Sequence, residues 1–216
     1  ITKGVEISET AIAEAHFGIR DLYKDQLDYR MEDWKGSAER ALIRSTEVTG
    51  DSDTERAMDG LLSAITTIAS TNGNNTLTES QFIGLQQAIW EKGTKARDVL
   101  TNGSVRRYID QFDGQGKTQW QVPGNAKEVT NSILMYHGSF GTVRCHLSRD
   151  LENGDGTAEL VMLDWGAFKK AWLRPVKLRT VDSQADSRQT AIVGELSLKY
   201  DDEQAAGKIT ALGAPV

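Results

Sequence analysis

The stretch SETAIAEAHFGIRDLYKDQLDYRMEDWKGSAERALI, residues 8–43, decides how the rest of the chain is read. It contains no Pro, and Ile19, Tyr23, Leu27, Met31, Trp34, Ala38 and Leu42 recur at steps of four or three, the spacing that lines one side of an α-helix. The pattern predicts one continuous amphipathic helix from Ser8 to about Ile43. Its apolar stripe is narrow. Asp21, Asp25, Asp28 and Glu32 form an acidic row on another side, interspersed with Arg20, Lys24, Arg30 and Lys35. At ~1.5 Å per residue the helix would be roughly 50 Å long, whereas a compact globule of this chain length is about 45 Å across. A rod of that proportion suits an extended subunit surrounded by other copies better than a small enzyme wrapped around a pocket.

Composition narrows the classes. The chain has 216 residues, 38% hydrophobic and 26% charged, with 20 Gly and 3 Pro, which is ordinary for a globular protein of one large domain or two interlocked lobes. A single cysteine, Cys145, excludes an internal disulfide framework and a Cys-based zinc cluster. With 25 basic against 31 acidic residues the net charge is −6, which disfavours tight nucleic-acid binding. The nearest basic patch, Lys169, Lys170, Arg174, Lys177 and Arg179 around Trp172 and Leu173, reads as a solvated sheet edge or a protein contact. No apolar run approaches the ~18 residues of a membrane span, and ITKGVEIS lacks the features of a signal peptide, so a soluble protein with no membrane partner is expected.

Further along, Thr46 to Glu55 is a polar break whose Asp and Thr side chains are placed to cap a following helix, and Met58, Leu61, Leu62, Ile65 and Ile68 keep helical spacing up to the turn formers TNGNN. Thr78 and Gln81 form a capping-box pattern ahead of a helix that stops at Gly93. A buried strand at Arg97 to Thr101 and a helix at Ser104 to Phe112 follow. Beyond Gly114 the period changes to two, most clearly at Val143, Cys145 and Leu147 and at Ile192, Gly194, Leu196 and Leu198. Strands are expected around the Gly138–Gly141 turn and at Glu159 to Leu163 after a turn at Asn153–Gly156. A long hairpin is expected from Phe168 to Asp202, turning at Asp182 to Ser187. Helices first and strands later predict an α+β fold, not a doubly wound parallel sheet.

Motifs for catalysis or ligand binding are weak. Gly114-Gln115-Gly116-Lys117-Thr118 ends like a phosphate loop, but the Gly needed five residues before Gly116 is Gln111, and QWQVPG follows instead of a helix. A flexible loop that touches neighbouring copies is the better reading. Asp150 to Glu159 lacks the alternate oxygen ligands and sixth-position Gly of a calcium loop, since Asp155 occupies that position. His16, His137 and His146 show no metal-binding spacing, and neither a metal nor a cofactor is expected. A Cys/His hydrolase or transferase site around Cys145, His137 and Asp164 is the rival reading from another class, against which the alternation of Cys145 and His146 on one strand makes the thiol a small core residue. Of the five Trp residues, Trp90 and Trp172 are expected in the core, whereas Trp34 and Trp120 are candidate contacts with another subunit.

The order of several blocks resembles the major capsid proteins of tailed bacteriophages, the Hong Kong 97-type fold. The blocks are Gly60-Leu61-Leu62 before Thr71-Asn72, Leu77-Thr78-Glu79 leading to Gln87-Ala88-Ile89-Trp90-Glu91-Lys92-Gly93, and Val99-Leu100-Thr101-Asn102 leading to Ile109 and Phe112. They continue with Tyr136, Ser139-Phe140-Gly141-Thr142-Val143, Arg149, Asp164, Ala171-Trp172-Leu173-Arg174-Pro175 and Glu195-Leu196-Ser197-Leu198. The resemblance implies an extended segment and spine helix over 1–50 and an axial domain over 51–164. It further implies a peripheral-domain β-hairpin over 165–203 and a tail over 204–216 that returns to the axial domain. It implies a coat protein without enzymatic activity, self-assembling into hexamers and pentamers of an icosahedral shell that encloses a viral genome. The shell would be built in the host cytoplasm and would end in the virion, with portal, scaffold and decoration proteins as further partners. An encapsulin-like nanocompartment shell is the alternative within the same class. Candidate assembly contacts are Trp34, the loop residues Gly114, Gln115, Gly116 and Trp120, and Asp182, Asp186 and Arg188 around the hairpin tip.

Overall fold

The computed structural model describes residues 1–14, 21–112, 135–152, 156–181 and 186–213. In chain order the elements are β1 (Thr2–Ser8), α1 (Glu9–Ala13), α2 (Leu22–Arg44), α3 (Leu61–Ala64), β2 (Ala69–Thr71), α4 (Glu79–Glu91), β3 (Asp98–Thr101), α5 (Gly103–Asp110), β4 (Met135–Gly138), β5 (Gly141–Leu147), β6 (Ala158–Leu163), β7 (Phe168–Val181), β8 (Ser187–Tyr200) and β9 (Ala206–Leu212). They divide into two compact units. The first holds residues 1–60 and 170–199, the second residues 61–169 and 200–216.

The first unit places α2 against a three-stranded sheet of order β1-β8-β7. The single helix expected from Ser8 to Ile43 is not what forms. Ser8 caps the five-residue α1 by accepting the Ala11 N–H at 3.2 Å, and Glu14 leaves the helical region with ψ 138°. Asp21 is likewise extended, and its carboxylate accepts the Lys24 N–H at 3.0 Å, which opens a new helix of 23 residues. Polar side chains that can take backbone N–H groups favour helix starts over helix interiors, and two such starts divide the stretch. At ~1.5 Å per residue α2 is about 35 Å long, so the argument from a rod longer than its own globule does not hold. The apolar stripe itself is as expected: Leu27, Met31, Trp34 and Ala38 meet Ile192, Val176 and Leu196.

The second unit carries a six-stranded mixed sheet of order β2-β9-β6-β3-β5-β4, in which β2 and β9, and β3 and β5, run parallel. Helices α4 and α5 cover one face. Phe82, Leu85 and Ile89 from α4 and Val105, Tyr108 and Ile109 from α5 pack on Val99, Val143, Cys145, Leu160 and Met162. Both ends of this layer follow local signals. Thr78 and Gln81 complete the capping box of α4, and Asn102 accepts the Val105 N–H at 2.8 Å to start α5. Gly93, at φ +91°, ends the turn after α4, a backbone region that favours glycine.

The helix expected through Ile68 shrinks to the four residues of α3. Its continuation is claimed by tertiary partners. Glu203 accepts the N–H groups of Thr66 and Thr67, and Lys208 Nζ donates to the Leu62 carbonyl at 2.6 Å, so groups that a longer helix would pair with one another are taken elsewhere. Asp51 also differs from expectation: it accepts the Asp53 and Thr54 N–H groups, both at 2.8 Å, and closes its own turn without a helix following. The turn expected at Asn153–Gly156 falls mainly on residues outside the described set, as do the loop with Gly114, Gln115, Gly116 and Trp120 and most of the turn expected at Asp182 to Ser187.

Candidate assembly surface

Strand β7 has one side covered by its own unit and one side open. It is an edge strand of 14 residues, and of these only Phe168 is buried. Trp172 is stacked on Trp34, and Val176 packs on the same cluster, so the even-numbered side of this stretch faces α2. By the two-residue period of a strand, Leu173, Lys177, Arg179 and Val181 point to the other side. Leu173 is 76% exposed, the largest value among the exposed large apolar side chains of the described residues. Of the basic residues, Lys170 sits over the Trp172 ring at 5.3 Å and Arg174 pairs with Glu195. That contact holds the Glu195 carboxyl below its usual range and raises the Arg174 guanidinium. Lys177 and Arg179 have no carboxylate partner among the described residues.

Helix α2 shows a second open face. At 3.6 residues per turn, Asp28, Glu32 and Asp25 lie about 90°, 130° and 150° around the helix from the centre of the Trp34 stripe. Tyr29, 67% exposed, stands beside them. Asp33, by contrast, is engaged by Lys3 at 3.1 Å and Arg30 at 3.7 Å.

The candidate contacts read from the sequence are distributed unevenly. Trp34, expected to meet another subunit, is 4% exposed and donates its Nε1–H to the Ile1 carbonyl at 3.1 Å, so it belongs to the core of its own unit. Trp90 and Trp172, expected in the core, are 50% and 42% exposed. The reason is the side of each element on which they fall: position 34 lies in the middle of the buried stripe, whereas Trp90 lies near the end of α4 against Phe140 with ring centroids 5.7 Å apart. Asp186 is exposed, and its carbonyl accepts the Glu9 N–H at 3.2 Å. Arg188 lies over the Tyr23 ring at 4.0 Å, and the Tyr23 and Thr190 hydroxyls are 2.6 Å apart. Gly114, Gln115, Gly116, Trp120 and Asp182 lie outside the described residues. The stretch around Trp172 and Leu173 was read as a solvated sheet edge or a protein contact, and Leu178 and Val181 were not singled out; the density of exposed apolar residues at Trp172, Leu173, Leu178 and Val181 is the signal that marks the patch.

The rival catalytic grouping is not assembled. Tyr136 pairs with Val143 and His137 with Thr142, so His137 lies on the sheet face opposite to Cys145. The His137 ring nitrogen is 2.9 Å from the Thr142 hydroxyl, and His146 is 2.7 Å from Asp98. Asp164 caps the turn at Trp165–Ala167 by accepting the Gly166 N–H at 3.0 Å. Burial pushes the Cys145 thiol up, partly offset by Arg106. Burial and the Glu79 carboxylate push the Tyr136 hydroxyl up to about 12. A groove of about 540 Å³ beside β2 and α4 is lined by Ile68, Leu85, Ala88 and Ile209 together with Asn72 and Gln81, and Glu91 and Lys92 are its only charged side chains. No cluster of three metal-ligating side chains occurs among the described residues, and none of the described helices is long and apolar enough to cross a membrane.

Comparison with known proteins agrees with the expected fold. A family model described as SU10 major capsid protein matches residues 1–213. Among solved structures, the chain is similar to the capsid of Myoviridae phage XM1, with a TM-score of 0.69 and 15% identity over 98% of this chain and 72% of that one. It is similar to the SrpI encapsulin of Synechococcus elongatus PCC 7942, with a TM-score of 0.68 and 14% identity over 99% and 73%. It is also similar to the capsid of an empty GTA particle, with a TM-score of 0.64 and 15% identity over 99% and 73%. No curated protein matches. At these identities the structural likeness speaks for the fold, which is the mixed α+β Hong Kong 97-like one implied by the ordered blocks.

Proposed function

This chain belongs to the SU10 major capsid protein family and is a structural coat protein, and we propose that its copies close into an icosahedral shell of hexamers and pentamers around a viral genome. The family match over residues 1–213 carries the proposal, because it runs through both compact units. A coat subunit works by repeating weak contacts over many identical copies, so it needs surfaces and no catalytic step. The open faces of α2 and β7 are surfaces of that kind.

In this reading the first unit, with α2 as the spine helix and the β7–β8 hairpin, is the peripheral domain, and the second unit is the axial domain. The loop with Gly114, Gln115, Gly116 and Trp120 is the axial tip, and Asp182, Asp186 and Arg188 lie at the peripheral tip. Assembly takes place in the host cytoplasm with portal, scaffold and decoration proteins. Electron microscopy of the purified full-length protein tests the proposal. Closed shells are the expected result, and persistent monomers in the presence of scaffold and portal would overturn it.

The likeness to the SrpI encapsulin favours a second reading, a nanocompartment around a protein cargo. The contents of particles purified from the native source separate the two. Nucleic acid inside supports the viral shell, and a packaged enzyme without nucleic acid supports the compartment.

A further inference from the structure

The first unit is two layers thick, and its two outer faces differ in charge. On the helix side, Asp28 and Glu32 are exposed and Asp25 is half-buried, and none of the three has an ion-pair partner among the described residues. On the sheet side, Lys177 and Arg179 are open in the same sense, with Leu173 and Val181 on the same side of the strand. Layers of packed side chains lie between the two faces, so the charges cannot meet within one molecule. They can meet only between molecules.

The spacing allows it. Asp28 and Glu32 are four residues apart on a helix and so ~6 Å apart along its axis, while Lys177 and Arg179 are two residues apart on a strand and so ~6.6 Å apart. The plain alternative is that both rows are simply solvated, with Lys and Arg protecting an edge strand from unwanted pairing. That accounts for the charges but not for the exposed Leu173 and Val181 on the same side, since an edge protected by charge has no need of apolar side chains beside it.

We propose that the acidic face of α2 in one copy docks on the outer face of β7 in a second copy, with Asp28 and Glu32 meeting Lys177 and Arg179, and with Tyr29 and Leu173 adding apolar area. Each copy then presents a different face to each of two neighbours. Such a head-to-tail contact forms a ring if the rotation closes. The inference rests on the shell reading above and assigns one of its contacts.

The test is a charge exchange in the full-length protein. One variant carries Lys177→Glu and Arg179→Glu, a second carries Asp28→Lys and Glu32→Lys, and a third carries all four. Particle yield is read by sedimentation and electron microscopy, and folding by circular dichroism. Each two-site variant is expected to keep its fold and to lose about ten-fold in particle yield, and the four-site variant to recover most of it, because like charges oppose each other in the first two and opposite charges are restored in the third. If a charge-reversed pair fails to fold, the neutral pairs Lys177→Gln with Arg179→Gln and Asp28→Asn with Glu32→Gln replace it, and both are expected to lower the yield. Wild-type shells with unaffected two-site variants, or a folded four-site variant no better than its halves, would overturn the docking and leave the shell reading intact. A wild type that forms no shells would overturn both.

Discussion

Trp34 of α2 and Trp172 of β7 stack with their ring centroids 6.1 Å apart and their planes 13° from parallel. The pair ties helix to sheet inside the first unit, and Gly194 makes room for it: a Cβ there would sit 2.6 Å from Trp34 Cζ2. One indole is enclosed and the other is half open, so their contributions differ. Trp34→Ala should cost about 3–5 kcal/mol, as for a large buried side chain, and Trp172→Ala about 1–2 kcal/mol. Gly194→Ala should cost about 1–3 kcal/mol through overpacking. Chemical denaturation checks all three, and equal losses at Trp34 and Trp172 would contradict the described burial.

Glu203 accepts hydrogen bonds from the Thr66 and Thr67 backbones and hydroxyls, which hold its carboxyl at about 2, with the Thr67 hydroxyl the largest cause. A carboxyl depressed in the folded state stabilises above its unfolded value, near 4.5, and that contribution is lost as pH falls towards 2. Thermal melts of the wild type should therefore lose stability through this window. Glu203→Gln should show a flatter acid limb and a lower melting temperature at pH 7.

The Cys145 thiol is buried in the α4/α5 side of the sheet, and burial raises its pKa. Thiolate, not thiol, reacts with alkylating agents. A maleimide or aromatic disulfide reagent should label the native protein at pH 7 at least ten-fold more slowly than the denatured protein. Rapid native labelling would return Cys145 to the list of reactive groups.

The capping box at the start of α4 and the Asn102 cap of α5 satisfy backbone N–H groups that would otherwise be unpaired at helix ends. Thr78→Ala should cost about 1 kcal/mol. Asn102→Ala should cost more, about 2 kcal/mol, because Asn102 is buried and water cannot replace its hydrogen bond to Val105. Urea denaturation curves of the two variants measure the difference.

Where one local signal governs an element, the sequence reading and the structure agree. Thr78, Gln81 and Gly93 bound α4, the helix expected at Ser104 to Phe112 forms as α5, and the alternation of Val143 and Cys145 with Arg144 and His146 sets the faces of β5. Where side chains from far along the chain take part, the reading fails. Nothing near Ile65 announces that Glu203 and Lys208 will take the hydrogen-bonding groups of a longer α3. Within 8–43, periodicity continues across two cap residues, and a pattern of apolar spacing does not register that Ser8 and Asp21 each begin a helix of their own.

The candidate surface was legible in part. Its acidic and basic rows can be read directly, because charge and period are properties of the residues. Which of the Trp residues would be covered could not be read, since burial depends on the partner that an element finds. Composition, the change from helical to alternating period, and the order of blocks were determined by the sequence alone, because each depends on residues close together in the chain. Only the tertiary structure decided that β7 is left as an uncovered edge, that α2 turns its carboxylates away from the sheet, and that Cys145 and His137 lie on opposite faces. The first two depend on packing between residues more than a hundred positions apart, such as Trp34 with Ile192, and the third on the register of β4 against β5, in which His137 pairs with Thr142.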